Sequence, residues 1–213
     1  MALANDVYSY IVNNYQPNEP IFLSELNIPG MKAVSVRQQM KKLMESGQLK
    51  HFDMGIYYIP EKSMFRSGST LSVDQVIRKK YLADEGNCCG YVGGILFANQ
   101  LGLTTQVPGV YEIYTNKATT EYRETRIAKL RVILRKPYCE IDERNAVTLQ
   151  FLDLLKEIVD ISEVTGEELT NRLISYMRKK SIGFENMRQF LPYYPERIYK
   201  NMYEVGLLNG VFA

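Results

Sequence analysis

The beginning of the chain repeats apolar residues with the period of an α-helix. The clearest stripe lies within residues 32–46, where the spacing i, i+4, i+7, i+8 joins Val36, Met40, Leu43 and Met44. Gly47 follows, as a residue that readily takes the left-handed conformation at a helix end. Two shorter helices are predicted before this one, over residues 3–15 and 22–27, and Pro29-Gly30 ends the second.

The segment after the third helix has the pattern of a β-hairpin. Residues 49–52 and 56–59 are rich in apolar and aromatic side chains, and Asp53-Met54-Gly55 connects them with the residue types that tight turns favour. Three helices followed by a hairpin predict a winged helix-turn-helix, whose third helix enters the major groove of DNA. We therefore expect residues 1–60 to form a DNA-binding domain.

The side of the third helix opposite its apolar stripe carries the candidate DNA contacts. The predicted DNA-binding residues are Ser35, Arg37, Gln38, Lys41, Lys42 and, in the hairpin, Lys50. Gln38 can pair with adenine through two hydrogen bonds, and Ser35 can bond to several base edges. Lys41 and Lys42 suit phosphates, and Lys50 or His51 would add a backbone contact from the hairpin. A winged helix can also be a protein-interaction module, and this alternative stays open.

The remainder of the chain predicts a linker and a second domain. Residues 61–71 follow Pro60 and contain three Ser, one Thr and one Gly without periodicity, which is typical of a linker. Ser72 and Gln75 then have the spacing of a capping box that opens a helix. Residues 72–213 are expected to form an α+β domain with a small antiparallel sheet and several helices. Its predicted elements are a helix to about residue 82, a buried helix at 91–101, strands at 107–115 and 122–135, and helices at 144–160, 167–180 and 195–208.

Two further features of this second domain predict local structure. Gly93 and Gly94 are expected to allow the close approach of another backbone. Apolar and basic residues alternate imperfectly along residues 122–135, so one face of that strand would be apolar and the other basic. The basic face is either solvated or a second nucleic-acid surface.

Composition and charge narrow the class of protein. The 213 residues contain no apolar run of 18, so no membrane span is expected, and the first residues do not resemble a secretory signal. Three cysteines and one histidine favour a cytoplasmic protein with reduced thiols and without a metal site. The net charge of +2 conceals segregation, because residues 31–50 contain five basic residues and one acidic residue, whereas residues 137–170 contain nine acidic and two basic ones.

No known catalytic pattern is present. The glycines of residues 86–116 match neither a P-loop nor a dinucleotide fingerprint, so no cofactor is expected. Catalysis by a serine–histidine or cysteine–histidine pair would depend on His51, which falls in the predicted wing. Nuclease-like spacing of an acidic residue and a lysine does not follow any predicted strand. The sequence therefore favours a protein that is not an enzyme, with a nuclease-like nucleic-acid enzyme as the alternative.

Two segments resemble a known family. "GIYYIP", which closes the predicted wing, and "GYVGGILFANQLGLTTQVPGVYEIYTN" are similar to the AbiEi-like antitoxins of bacterial abortive-infection systems. The resemblance extends over roughly residues 4–160 and its motifs are combinations of Gly, Leu and aromatic residues. It implies a type IV antitoxin, in which an N-terminal winged helix represses its own operon and a C-terminal domain opposes a nucleotidyltransferase-like toxin. It also implies operator DNA as the partner, expected as inverted repeats, and no stable complex with the toxin.

Overall fold

The structure, a computed structural model, describes residues 7–61 and 70–208 and shows a mixed α+β protein. The chain divides into two compact units, Met1–Lys79 and Lys80–Ala213. Most of the predicted linker, at residues 62–69, lies outside the described residues. The chain passes from one unit to the other after Lys79, so the first unit is longer than the predicted domain 1–60.

The first unit combines helices with a three-stranded antiparallel sheet. Its described elements are α1 (Val7–Asn14), β1 (Ile21–Phe22), α2 (Ala33–Glu45), β2 (Lys50–Asp53), β3 (Ile56–Tyr58) and α3 (Val73–Ile77). The strand β3 lies between β1 and β2. The apolar stripe of α2 packs against α1 in a core made of Val7, Ile11, Ile21, Ile28, Val36, Met40, Leu43 and Leu49. This arrangement confirms the predicted helix and hairpin, and Gly47 takes the left-handed conformation after α2, with φ of 74°.

The short helix predicted over residues 22–27 is wrong. Ile21 and Phe22 instead pair with Tyr57 and Ile56 as an edge strand, and a turn follows at residues 23–25. The edge of β3 supplies backbone hydrogen-bond partners to Ile21 and Phe22, and this pairing replaces the start of the predicted helix. Residues 7–61 therefore contain two helices before the hairpin, not three.

Polar contacts shape residues 72–79, which include α3, and attach the end of this segment to the rest of the first unit. Ser72 and Gln75 form the predicted capping box, with each side chain bonded to the other residue's backbone N–H. The Nζ atom of Lys79 lies 2.7 Å from Oε1 of Glu19 and 2.8 Å from the carbonyl oxygen of Pro20. The same ammonium group lies 4.5 Å from the ring centroid of Tyr15. These contacts explain why the first unit extends to residue 79.

The second unit contains a four-stranded sheet and most of the helices. After a π-helical turn at Arg78–Leu82, its described elements are β4 (Ala83–Asp84), β5 (Asn87–Cys88), β6 (Gly90–Gly93), α4 (Gly94–Gln100), β7 (Val110–Thr115), β8 (Tyr122–Ile127), β9 (Leu130–Arg135), α5 (Ala146–Ile161), α6 (Gly166–Lys180), α7 (Phe184–Arg188), a 3-10 turn (Leu191–Tyr193) and α8 (Arg197–Glu204). The larger sheet has the order β6-β7-β9-β8, and β4 pairs with β5 separately. The helices predicted at 144–160, 167–180 and 195–208 correspond to α5, α6 and α8.

The larger sheet is mixed, so the prediction of an antiparallel sheet is wrong. β7 and β9 are parallel, while β6–β7 and β8–β9 are antiparallel. Residues 122–135 are two strands instead of one, joined by a turn at residues 128–129 where Ala128 has φ of 51°. Because the chain reverses there, β9 fits between β8 and β7, and its direction matches that of β7.

The glycines before α4 are needed because other groups come very close. A Cβ atom on Gly93 would lie 2.6 Å from the ring of Tyr114, and one on Gly94 would lie 2.6 Å from Oε2 of Glu112. A Cβ atom on Gly90 would lie 2.5 Å from the carbonyl oxygen of Tyr81, so Gly90 is the glycine that faces backbone. The expected close approach at Gly93 and Gly94 is therefore made by side chains. The predicted helix at 91–101 begins only at Gly94, because residues 90–93 pair with β7.

The helix α5 lies at the centre of the second unit. It packs against β6, α4, α7 and α8, and Phe151, Leu152 and Leu155 are fully buried. Charged residues of this helix, Asp153 and Lys156, are buried as well. α5 is thus buried over most of its surface, and two of its charged residues are enclosed with the apolar ones.

Candidate nucleic-acid interface

The helix α2 has one buried side and one exposed side. Val36, Met40 and Leu43 are buried. The predicted contact residues Arg37, Gln38, Lys41 and Lys42 are exposed, and Ser35 is half-buried. The structure therefore brings five of the six predicted DNA-binding residues onto the outward part of a single helix.

The cations of α2 are available to an external anion. Lys41 lies 3.9 Å from Glu45, one turn further on, and both side chains are exposed, so the pair holds Lys41 only weakly. Among residues 7–61 and 70–208, no carboxylate lies within 4 Å of Arg37 or Lys42. A phosphate would therefore meet these groups without first displacing a strong internal partner.

Hydrogen bonds fix the helix and the hairpin within the first unit. The backbone N–H of Val7 donates to Oε1 of Gln39, which ties the start of α1 to α2. The N–H of Leu23 donates to the carbonyl oxygen of Gly55 at 2.8 Å, which ties the hairpin turn to the end of β1. Oδ1 of Asp53 accepts a bond from the N–H of Met54 within the turn. The exposed side of α2 and the hairpin thus belong to one hydrogen-bonded unit.

The hairpin does not present its cation at the tip. Lys50 is half-buried at the first position of β2, opposite Tyr58, and the turn lies three to five residues further along the chain. His51 is exposed and its ring lies 5.3 Å from that of Tyr57. The tip carries Met54 instead, with 91% of its surface exposed. Lys50 therefore lies on a strand at the base of the hairpin and not on α2, and sequence reasoning did not single out Met54.

Val34 is a second exposed apolar residue that sequence reasoning missed. It is the second residue of α2 and 63% of its surface is exposed. It lies one helical turn before Gln38, so the two side chains are neighbours on the outward surface. The available signal was its position outside the stripe of Val36, Met40 and Leu43.

The basic hairpin β8–β9 differs from α2. Arg131 forms two hydrogen bonds with Glu124, at 2.9 and 3.1 Å, and these bonds lower the pKa of Glu124. Arg135 bonds to Glu112 on β7 at 2.5 Å. Pairing in the sheet places Arg123 opposite Leu134 and Arg126 opposite Arg131. Arg126, Arg131 and Arg135 therefore share one face with Glu124, while Arg123 lies on the other face with Ile127, Val132 and Leu134, so the predicted basic and apolar faces are present except at Arg123.

A buried polar cluster lies beneath the sheet of the second unit. Oδ2 of Asp153 accepts hydrogen bonds from the hydroxyl groups of Tyr91, at 2.5 Å, and Tyr194, at 3.4 Å. Nζ of Lys156 lies 3.3 Å from Oδ1 of Asp153 and 3.2 Å from the hydroxyl oxygen of Tyr114. Side-chain exposure is 1% for Asp153 and 11% for Lys156, so the pair is enclosed by protein.

Burial controls the ionisation of this cluster. It raises the pKa of Asp153 to about 6, although the ammonium of Lys156 and the hydroxyl of Tyr91 act in the opposite direction. Burial alone would lower the pKa of Lys156, but the carboxylates of Asp153 and Glu157 outweigh it and the pKa is raised. Asp153 and Lys156 therefore stabilise each other's charge at neutral pH, and Asp153 is the member that takes up a proton first.

Other kinds of site have less support. Within residues 7–61 and 70–208, no three His, Cys, Asp or Glu side chains are grouped as metal ligands would be. No helix in the described part of the chain combines the length and the apolar character needed to cross a membrane.

No model of a protein family matches the sequence, and no curated protein is significantly similar to it.

Proposed function

We propose that this protein is a DNA-binding transcriptional repressor that autoregulates its operon and also acts as an antitoxin of a type IV toxin–antitoxin system. We place the protein in the cytoplasm. Its DNA-binding part is the first unit, as a winged helix whose α2 enters the major groove. The observation that carries this proposal is the outward side of α2, where Lys41, Lys42 and Arg37 are exposed beside Gln38.

The roles of these residues follow from their chemistry. Lys41 and Lys42 would bind phosphates and supply affinity that does not depend on sequence. Gln38 would bond to the N6 and N7 atoms of an adenine, and Ser35 is close enough along the helix to reach a neighbouring base edge. The order α1, β1, α2, β2, β3 supports a winged helix. The turn at residues 23–25 departs from it, since a helix-turn-helix has a helix at this point.

The antitoxin role rests on the family resemblance of residues 4–160. The segment "GYVGGILFANQLGLTTQVPGVYEIYTN" forms β6, α4 and β7 of the second unit, which belong to its core. We assign this unit, without an enzymatic role, to opposing a nucleotidyltransferase-like toxin. We propose that the toxin is opposed without a stable complex, and that the DNA partner is an operator with inverted repeats.

The test of DNA binding is the double variant Lys41→Gln, Lys42→Gln of the full chain. Fluorescence anisotropy would follow its binding to duplex DNA from upstream of its own coding sequence, over a range of salt concentrations. Each lost phosphate contact should reduce the slope of log K against log salt by about 0.9. Lys179→Gln, Lys180→Gln is the matched control, because these are also adjacent, exposed lysines near the end of a helix.

Circular dichroism should show that both variants are folded. The control should bind as the parent does. If Lys41→Gln, Lys42→Gln also binds with the parent's affinity and salt slope, α2 does not contact DNA and the first unit is an interaction module. In cells, this variant should lose repression of a reporter but still protect against a toxin encoded by the adjacent gene. Loss of both activities in a folded protein would contradict the proposed division of roles.

A further inference from the structure

The outward side of α2 contains an apolar side chain that the core does not explain. Val36, Met40 and Leu43 are buried, whereas Val34 is 63% exposed. A β-branched residue near the start of a helix contributes less to helix stability than alanine would, and exposed apolar surface adds nothing to folding. The packing of the first unit therefore shows no structural role for Val34.

The position of Val34 matches that of a base-contacting residue. It lies in the first turn of α2, and in helices that enter the major groove the N-terminal residues contact base edges. Gln38 lies one turn later on the same surface, at the spacing where side chains are neighbours. Lys41 and Lys42 follow towards the end of the helix, where phosphate contacts would fix its position.

The two side chains complement the edges of A·T base pairs. In the major groove, adenine presents N7 as an acceptor and N6 as a donor, which the amide of glutamine matches. Thymine presents a 5-methyl group, with which an apolar side chain makes a favourable contact. The polar residues around Val34 do not offer such a contact. Since this methyl group is the only apolar feature of the four base edges, an exposed valine beside a glutamine selects for it.

We infer that Val34 contacts the 5-methyl group of a thymine in the operator, beside an adenine that Gln38 recognises, so that α2 selects A·T base pairs. This inference rests on the proposed binding of α2 to DNA, and it adds a residue that determines sequence preference. Val34 contributes to specificity, while Lys41 and Lys42 contribute to affinity for any duplex.

The test uses the full chain and a duplex selected from a random pool by binding to the parent protein. Each thymine of the selected duplex is then replaced in turn by deoxyuridine, which lacks only the 5-methyl group. Replacing one contacted thymine should weaken binding about fourfold, the value expected for one buried methyl group. Val34→Ala changes the side chain in every bound copy, so it should weaken binding to the thymine duplex at least as much, and it should bind the two duplexes equally well.

The matched control is Val12→Ala, because Val12 is an exposed valine of α1, in the same unit. It should distinguish thymine from deoxyuridine as the parent does. If no replacement by deoxyuridine weakens binding of the parent, or if Val34→Ala still distinguishes the two duplexes, the methyl contact is wrong while DNA binding by α2 stands. If the parent selects no duplex, and Lys41→Gln, Lys42→Gln binds random DNA with an unchanged salt slope, both the contact and the proposed function are overturned.

Discussion

Two basic regions of this protein, α2 and the hairpin β8–β9, carry similar charge in the sequence and use it differently. On α2 the cations are on the outside, and the nearest carboxylate, Glu45, is 3.9 Å from Lys41. On β9, Arg131 and Arg135 are held by Glu124 and Glu112 in neighbouring strands. A helix spreads its charges into solvent, whereas a sheet places each charge beside the next strand, where an opposite charge can meet it. Local net charge alone therefore does not identify a binding surface.

The cluster at Asp153 and Lys156 extends the same comparison to the interior. There the charges are enclosed and bound to each other, so removing one should affect folding and not the binding of a ligand. Substitutions of enclosed, paired and weakly paired cations should therefore lower the free energy of unfolding by different amounts.

The largest effect is expected for Lys156→Met. It removes the cation beside Asp153 and leaves an enclosed carboxylate without its partner, which should lower the free energy of unfolding by about 3–5 kcal/mol. Denaturant unfolding at pH 7 measures this loss. Lys200→Met is the control, since Lys200 is exposed on α8 and lies 3.6 Å from Glu204 in an exposed pair, and it should change stability by less than about 0.5 kcal/mol. A loss below about 1 kcal/mol for Lys156→Met would show that the interior pair is not a stabilising unit.

A smaller effect, dependent on pH, is expected for Asp153→Asn. The pKa of Asp153 is about 6 in the folded protein against an ordinary value of 3.8, so the folded state binds this proton more tightly than the unfolded state. The resulting stability is fully present below pH 3.8 and is lost as the pH rises through 6. Relative to Asp153→Asn, the parent should therefore gain about 2 kcal/mol of stability between pH 7 and pH 4.5. Parallel stability curves for the two proteins over this range would place the pKa of Asp153 near its ordinary value.

The smallest effects should rank the surface cations. Arg135→Gln leaves Glu112, whose side chain is 17% exposed, without its charged partner, and should cost about 1.5 kcal/mol of unfolding free energy. Arg131→Gln should cost less than about 1 kcal/mol, because both members of its pair are more exposed. Lys41→Gln, Lys42→Gln should leave stability within about 0.5 kcal/mol of the parent. Thermal unfolding of the three variants checks the ranking, and equal losses at all three sites would remove the distinction between paired and free cations.

Sequence reasoning identified the elements whose pattern is long and regular. The helix α2 and its outward residues followed from a stripe sustained over several turns, and the capping box of Ser72 and Gln75 followed from spacing alone. The turn between β8 and β9 was missed because Ala128 takes a left-handed conformation that Gly or Asn usually occupies. Short elements such as β1 depend on which backbone partners the fold supplies, and these are not visible locally.

The cluster around Asp153 could have been suspected from the sequence but not constructed. Asp153 and Lys156 lie among the apolar residues Phe151, Leu152, Leu154 and Leu155, which suggests an enclosed pair at spacing i, i+3. The tyrosines that complete the cluster come from residues 91, 114 and 194, and only the folded topology brings them to it. On α2, by contrast, the position of Val34 outside the apolar stripe was a signal in the sequence, and the packing of the first unit shows its exposure.

The contacts of Lys79 determine where this protein can be divided for use in fusions. Its ammonium group is bound to Glu19 and to the carbonyl oxygen of Pro20, and it covers one side of Tyr15. A first unit transplanted with an end at residue 60 would leave this acidic side chain without its cation and would uncover the aromatic ring. A module that extends through Lys79 keeps both contacts, so the segment suited to exchange between proteins is longer than the part for which we propose DNA contacts.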